Sequence, residues 1–178
     1  MLTLLENQEK QMFKTKLSSM INSKYLVYIL IISTIFLLDR LSKVYIIDLA
    51  ENTVNLEMSI TSFLNIILVW NSGIGFGLFQ IEKPVLYNLI TFIILIINFI
   101  IIYFLISVDY IQKIFFCMIL GGSFGNLYDR IYFSAVPDFI DLNYKGYHWF
   151  VFNVADIFIT IGIFLLILSE IFKKKNEK

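Results

Sequence analysis

The sequence predicts an all-α integral membrane protein with four transmembrane helices. Composition is the first observation that supports this prediction: 58% of the 178 residues are hydrophobic, 16% are charged, and the mean hydropathy is +0.79. Such a chain is too apolar to cover its own surface in water, which disfavours a soluble enzyme, a nucleic-acid-binding protein and a disordered protein. The other two observations are the lengths of the apolar stretches and the positions of the basic residues.

Four segments are long and apolar enough to be predicted as membrane spans, which need about 20 residues each. They cover residues 25–46, 85–108, 114–129 and 150–172. The first is apolar until Asp39, and the second carries no charge. The third is shorter and rich in glycine and serine, so we expect it inside the bundle, because small residues let helices approach closely in lipid.

Lysines at both ends of the chain predict its orientation, because basic residues accumulate on the cytoplasmic side. They are Lys10, Lys14, Lys16 and Lys24 before the first span, and Lys173, Lys174, Lys175 and Lys178 after the last. Four spans return the chain to its starting side, so both termini are predicted to be cytoplasmic. The predicted organisation is a cytoplasmic N-terminal extension (1–24), a membrane domain (25–172) and a basic cytoplasmic tail (173–178).

Two longer segments, residues 49–83 and 130–149, are then predicted to lie outside the cell. The first contains a stretch from Ile60 to Trp70 that is rich in β-branched and aromatic residues, which favours strand pairing. The second carries two acids, Asp138 and Asp141, that could fold back onto the helices.

Three acids are predicted to lie at one depth within the membrane. A helical rise of about 1.5 Å per residue puts Asp39, Asp129 and Asp156 about 22–25 Å from the cytoplasmic boundary. Asn126 and Asn153 each precede an acid by three residues and therefore share its helix face. Ionisable residues inside a membrane are costly and are functional candidates by default.

Such acids suggest aspartyl chemistry, with other functions left open. Two carboxyls held close together in a low dielectric share one proton, so one could activate water while the other polarises a carbonyl. A small proton- or ion-coupled transporter is an alternative function for the acidic layer. A non-catalytic assembly subunit, in which polar residues only join helices, is another.

The sequence predicts neither a metal nor a cofactor. His148 and Cys117 are the only histidine and cysteine, too few for a zinc motif or a set of cysteine ligands. A match to G-x-S-x-G at residues 121–125 lies inside a predicted span rather than at a strand–helix turn, so we interpret it as helix packing.

Five motifs, in order along residues 25–172, resemble those of lipoprotein signal peptidase, also called signal peptidase II. Asp39-Arg-Leu-Ser-Lys43 resembles D-x-x-[ST]-K, and Asn71-Ser-Gly73-Ile-Gly-Phe76-Gly77 resembles N-x-G-x-A-[FW]-G. The stretch from Gly121 to Arg130 matches G-G-x-x-G-N-x-x-D-R. Val136-Pro-Asp138-Phe139 resembles V-V-D-F, and Phe152-Asn153-Val-Ala155-Asp156 matches F-N-x-A-D. Pro137, Gly75 and Trp70 depart from residues that are common in the family.

The resemblance implies four helices with cytoplasmic ends, plus a small extracytoplasmic β element that cradles the substrate. It implies that the catalytic pair is Asp138 and Asp156, whereas spacing alone would pair Asp156 with Asp129 or Asp39. The other residues that it implicates bind substrate or organise the site: Asn71, Gly73, Asn126, Asp129, Arg130, Asn153, Asp39 and Lys43. Among these, Asp129 is expected to be a supporting residue held by Arg130.

The resemblance also implies an activity, a substrate and a location. The enzyme would cut a bacterial prolipoprotein just before a cysteine that carries a diacylglyceryl group, releasing the signal peptide. It would work as a monomer among membrane lipids in the bacterial cytoplasmic (inner) membrane, with its active site near the extracytoplasmic face.

Overall fold

The computed structural model describes residues 23–73, 84–144 and 147–176. Its helices are α1 (Ser23–Glu51), α2 (Pro84–Ser107), α3 (Tyr110–Phe133) and α4 (Val154–Asn176), and its strands are β1 (Glu57–Thr61), β2 (Leu64–Asn71), β3 (Val136–Tyr144) and β4 (Tyr147–Phe152). The protein is therefore mostly helical, with a small sheet. Residues 1–22 of the predicted N-terminal extension, part of the second motif (Gly75, Phe76 and Gly77) and residues 177–178 of the tail lie outside the described residues.

Within the described residues, three helices are long and apolar enough to cross a membrane. The qualifying segments are Tyr25–Glu51, Pro84–Ser107 and Val154–Lys174. Helix α2 shows most clearly why: apart from Tyr87 and Asn98, none of its side chains is buried by the protein, and residues such as Phe99 and Ile106 are exposed. These apolar surfaces make the chain a multi-pass membrane protein.

Helix α3 is the packing centre of the bundle and contacts each of the other three helices. Its glycines allow this close approach. A methyl group at Gly122 would lie 2.5 Å from the Ala155 carbonyl oxygen of α4, and one at Gly121 would lie 2.8 Å from Cβ of Ile35 in α1. The expectation that this small-residue helix packs inside the bundle is thus met, and the G-x-S-x-G match lies within a helix.

The sheet is antiparallel, with the strand order β1-β2-β3-β4. Strand β2 begins at Leu64, which confirms strand pairing within the segment from Ile60 to Trp70. In the β2–β3 ladder Val69 is opposite Asp138, and Asn71 is opposite Val136. A small core formed by Ile46, Leu56 and Phe139 packs the sheet against the end of α1, so the sheet has a fixed position on the helices.

The helices differ by several residues from three of the predicted spans, 25–46, 114–129 and 150–172. Residues 150–152 belong to β4, and α4 begins only at Val154, because Asn153 ends the strand and caps the helix. Helix α3 runs from Tyr110 to Phe133, well beyond the predicted 114–129. Polar residues near its ends suggested a shorter helix, but Asp129 and Arg130 are buried by neighbouring elements and do not end it.

Candidate active site

A charged cluster joins α1 to α3 at the sheet end of the bundle. Lys43 Nζ donates to Asp39 Oδ2 at 2.8 Å and to Asp129 Oδ2 at 2.7 Å. All three side chains are fully buried, at 0% exposure. Asp39 Oδ1 also accepts the main-chain N–H of Ala155 at 2.9 Å, which ties α4 to the same cluster. A methyl group at Gly125 would collide with the Asp39 carboxylate, so this packing requires glycine there.

Arg40 completes the charged cluster. Its Nη2 lies 2.6 Å from Asp129 Oδ1, and its guanidinium stacks over the Tyr128 ring, 4.9 Å from the centroid. The expectation that Arg130 holds Asp129 is therefore wrong: the partners of Asp129 are Lys43 and Arg40. Arg130 follows Asp129 directly and so projects from a different face of α3, where it meets another element.

Asp138 and Asp156 form a second group of carboxyls, which we name the aspartate pair and whose hydrogen-bond partners are uncharged. Asp138, on β3, accepts Asn71 Nδ2 on Oδ2 at 2.8 Å and Asn153 Nδ2 on Oδ1 at 2.6 Å. Asp156, in the first turn of α4, accepts Asn126 Nδ2 on Oδ1 at 2.9 Å and the Asn153 main-chain N–H on Oδ2 at 3.1 Å. Asn153 therefore bridges the two carboxyls, and each of the four carboxyl oxygens accepts one neutral N–H.

The F-N-x-A-D motif has a local structural explanation. Asn153 Oδ1 accepts the N–H of Asp156 at 3.1 Å while Asp156 Oδ2 accepts the N–H of Asn153, which is a reciprocal capping box at the start of α4. The cap fixes the side chain of Asp156 at the helix N-terminus, where the helix dipole favours a negative charge. The spacing of an N-cap residue and an acid three positions later, before an apolar run, is the sequence signal that marks this boundary.

The amides around Asp138 are held in one orientation. Asn71 Oδ1 accepts the N–H of Gly73 at 2.8 Å, and Asn153 Oδ1 accepts the N–H of Asp156. Because both amide oxygens are already used, both NH₂ groups must point towards Asp138. The site therefore presents donors to this carboxyl from two sides, with side-chain positions set by the main chain.

Burial has the largest influence on the pKa of Asp138, a residue that is 2% exposed. Loss of solvation, and secondarily the charge of Asp156, raise the pKa of Asp138 to about 7 from 3.8, against the opposing effect of the Asn71 and Asn153 hydrogen bonds. A carboxyl with this pKa can hold a proton at neutral pH and donate it to a carbonyl oxygen.

Gly73 and Arg130 extend the site on the side of β2. Arg130 Nη2 donates to the Gly73 carbonyl oxygen at 2.6 Å, and its guanidinium lies 5.5 Å from the Tyr87 ring centroid. Its Nη1 has no hydrogen-bond partner among the described residues, although it is buried. Arg130 therefore keeps one donor for another acceptor at the site.

Asn126 connects the charged cluster to the aspartate pair. Its Oδ1 accepts Lys43 Nζ at 2.8 Å while its Nδ2 donates to Asp156. Helical depth along the sequence thus groups acids that lie in one polar region, since Asp39, Asp129 and Asp156 are linked through Lys43 and Asn126. It does not separate acids that are paired with cations from acids that are not.

Asp141, which the sequence suggested could reach the same layer, belongs instead to the sheet. Its Oδ2 accepts Asn65 Nδ2 at 3.1 Å and lies 2.8 Å from His148 Nδ1, so the side chain ties β2, β3 and β4 together. Asn65, like Arg40, was not a candidate from the sequence. Its position directly opposite Asp141 depends on strand register, which only the folded sheet defines.

An elongated cavity of about 710 Å³ opens beside the aspartate pair. Asn71, Asn126 and Arg130 line it together with both carboxyls, and its remaining wall is mostly apolar. Apart from Val136 of β3, the apolar side chains come from α2, α3 and α4: Ile94, Ile97, Ile101, Phe116, Ile119, Ile159, Ile163 and Leu166. The cavity therefore joins a polar end, at the carboxyls, to an apolar groove between the helices.

The described residues contain no group of three or more His, Cys, Asp or Glu side chains placed to hold a metal ion. In the aspartate pair, N–H donors occupy the positions around the carboxyl oxygens. Such donors suit a carboxylate or a shared proton and oppose a cation.

Comparisons with known proteins agree on one family. Residues 31–172 match the family model described as signal peptidase (SPase) II. The lipoprotein signal peptidase of Pelagibacter ubique (strain HTCC1062) is 56% identical over 153 residues, which cover 84% of this chain and 92% of the relative. That of Aquifex aeolicus (strain VF5) is 42% identical over 157 residues, covering 85% and 89%.

The fold matches as well. A solved chain described as a bacterial membrane enzyme structure, determined by the in meso method at 2.3 Å resolution, superposes with a TM-score of 0.68 at 28% identity. The match covers 85% of this chain and 92% of that one. Because the family model spans most of the sequence and the relatives are aligned over nearly their whole length, the chain belongs to the signal peptidase II family.

Proposed function

We propose that this membrane protein removes signal peptides from prolipoproteins by aspartyl catalysis at Asp138 and Asp156. Family membership supports the peptidase activity, and one observation supports the residues. The two carboxyls line one cavity, are bridged by Asn153, and have only neutral hydrogen-bond partners among the described residues. The acids in the charged cluster are neutralised by cations and line no part of that cavity.

The proposed mechanism uses water as the nucleophile. Asp156, ionised at the helix N-terminus, takes a proton from water as the water oxygen attacks the scissile carbonyl carbon. Asp138 transfers its proton to the carbonyl oxygen, which gives a neutral tetrahedral diol. As the C–N bond breaks, Asp156 gives its proton to the leaving nitrogen and Asp138 regains the diol proton, so both carboxyls return to their starting state. The unpartnered Nη1 of Arg130 would bind a substrate carbonyl.

The apolar groove supports a lipidated substrate. A prolipoprotein that carries a diacylglyceryl group on its cysteine presents two acyl chains and an apolar signal helix next to the bond to be cut. The groove between α2, α3 and α4 reaches Leu166, ten residues beyond Asp156, a distance of about 15 Å along the helix. It would hold apolar parts of the substrate at membrane depth while the peptide bond lies against the carboxyls.

The proposed topology has four crossings, with α3 as the fourth span beside the three apolar helices. Both termini would lie in the cytoplasm of a bacterium, and the sheet and the aspartate pair at the extracytoplasmic face of the inner membrane. The membrane domain would cover residues 25–172, between the cytoplasmic segments 1–24 and 173–178. The proposed site is complete within one chain, so a monomer surrounded by lipid would suffice for the reaction.

Substitution of the two carboxyls tests the assignment. Asp138→Asn and Asp156→Asn should each reduce cleavage of a diacylglyceryl-modified prolipoprotein by about 100-fold or more, since a positioned acid or base contributes about 10²–10⁴. The measurement is the mobility shift of the substrate on a gel, with purified, membrane-inserted enzyme. Asp109→Asn, which neutralises an exposed acid away from the site, is the control and should cleave normally. Full activity of either pair variant would overturn the assignment.

A further inference from the structure

Two hydroxyl groups lie in the apolar part of the groove without a role in the mechanism above. Ser123 of α3 and Thr160 of α4 both line the cavity, and neither hydroxyl has a hydrogen-bond partner among the described residues. Three other helical hydroxyls, those of Ser42, Thr91 and Ser169, instead donate to a main-chain carbonyl three or four residues earlier. The two groove hydroxyls are therefore free to donate to a bound molecule.

Their spacing puts Thr160 one helical turn from Asp156, and Ser123 one helical turn from Asn126, the donor to Asp156, with both hydroxyls on the apolar side. Thr160 follows Asp156 by four residues and therefore lies on the same helix face as Asp156. Ser123 precedes Asn126 by three residues and lies on the same helix face as Asn126. The rise along the helix is about 6 Å in the first case and about 4.5 Å in the second. The hydroxyls thus come from two facing helices and mark one level of the groove, just beyond the reacting bond.

We propose that Ser123 and Thr160 form the subsite that recognises the ester carbonyls of the diacylglyceryl group. This inference rests on the proposed function, because it assigns part of that substrate to this level of the groove. A diacylglyceryl thioether has no hydrogen-bond donor, and its strong acceptors are the two ester carbonyl oxygens, which lie a few bonds from the cysteine next to the cleaved bond. In an apolar wall such acceptors need donors, and two unpartnered hydroxyls supply them.

The same hydroxyls could also bind a different acceptor, a main-chain carbonyl at the end of the signal helix. Both sources present a carbonyl oxygen, so the experiment must separate the lipid from the peptide. Two synthetic prolipoprotein peptides do so when they are identical except for the lipid linkage. One carries the natural ester-linked chains and the other carries ether-linked chains of equal length, which lack the carbonyl oxygens.

Wild-type enzyme, Ser123→Ala, Thr160→Val and the double variant are compared on both peptides by steady-state kinetics. On the ester peptide each single variant should raise KM about three- to tenfold with little change in kcat, because one neutral hydrogen bond to a non-reacting part of the substrate is lost. On the ether peptide the wild type should show a similarly raised KM, and the substitutions should have no further effect.

Matched substitutions on an exposed face of α1, Ser33→Ala and Thr34→Val, are the controls and should leave both peptides unaffected. Equal losses on the ester and ether peptides would overturn the proposal in favour of a peptide carbonyl or a packing role. Unchanged KM values on the ester peptide would also overturn it. Failure of the wild type to cleave either peptide would instead contradict the proposed function, so the two failures are distinguishable.

Discussion

The charged cluster and the aspartate pair are neighbouring sets of buried carboxyls that differ in what surrounds them. In the cluster, Asp39 and Asp129 lie against the cations of Lys43 and Arg40. In the pair, Asp138 and Asp156 accept only amide and main-chain N–H groups from the part of the chain that the structure describes. Asn126 touches both sets, through Lys43 on one side and Asp156 on the other.

Because of this difference, one polar layer can serve two purposes. A buried carboxylate next to a cation gains most of its stabilisation from its charge, so proton transfer would break a pair that holds α1 to α3. A buried carboxyl with neutral donors can change its protonation state without losing a cation partner. Under the proposed function, the acids with cations maintain the structure, and the acids without cations carry out proton transfer.

The largest effect that would test this division is loss of the central cation. Lys43→Met would leave Asp39 and Asp129 with Arg40 as their only nearby cation among the described residues. Breaking a buried ion pair by removal of one partner costs about 3–5 kcal/mol, so we expect a large decrease in the thermal midpoint of the purified enzyme in detergent.

A second variant separates loss of charge balance from loss of packing. Lys43→Met combined with Asp129→Asn removes one charge of each sign and should recover part of the lost thermal stability. An unchanged midpoint in Lys43→Met would show that the charged cluster is not a structural element and would remove the contrast with the aspartate pair.

A smaller effect should appear in the pH dependence that the aspartate pair gives to the activity, where kcat/KM should change about tenfold per pH unit. Because burial and Asp156 raise the pKa of Asp138 to about 7, Asp138 keeps its proton below that pH and loses it above. In the proposed mechanism the protonated form donates to the substrate carbonyl, so kcat/KM should fall as the pH rises beyond about 7. The check is a kcat/KM profile against pH, with folding monitored at each pH.

The direction in which the falling limb of this pH profile moves tests whether Asp138 causes it. The hydrogen bond from Asn71 lowers the pKa of Asp138, so Asn71→Ala should raise that pKa and move the falling limb to higher pH, even if the maximal rate decreases. A limb that stays in place, or that moves to lower pH, would argue against Asp138 as the proton donor.

These contrasts show which parts of the molecule could be predicted from the sequence. Membrane character follows from apolar length, which is local information, and residues 85–108 differ from α2 by only one residue at each end. The last span is predicted to begin at residue 150 and not at Val154, because hydrophobicity does not distinguish strand residues 150–152 from a helix. The capping box at Asn153 and Asp156 is also local and marks this boundary.

The aspartate pair depends on information that is not local. Helical depth groups Asp156 with Asp39 and Asp129, and the structure links these three through Lys43 and Asn126. Asp138 reaches Asp156 only because β3 pairs with β2 and β4 above the helices, so its place depends on sheet register. Resemblance to a family supplied this pairing, while residue spacing could not. The role of Arg40 likewise emerges only from the packing of α1 on α3.

The smallest expected effect comes from an ion pair that resembles those of the charged cluster but lies at the surface. Lys173 Nζ donates to Asp109 Oδ2 at 2.8 Å, as short as the bond from Lys43 to Asp39, yet both side chains are at least half exposed. Lys173 lowers the pKa of Asp109 below 3.8, so any stability from this pair is present at neutral pH and is lost only in acid.

Lys173→Met should therefore produce no measurable change in thermal midpoint at neutral pH, because water already solvates both charges and screens their attraction. It is the matched control for Lys43→Met, since both substitutions remove a lysine that bonds an aspartate at the same distance. A large loss of stability from Lys173→Met would mean that pairing itself, and not burial, determines the contribution of such ion pairs here. The distinction between the charged cluster and the aspartate pair would then need another physical basis.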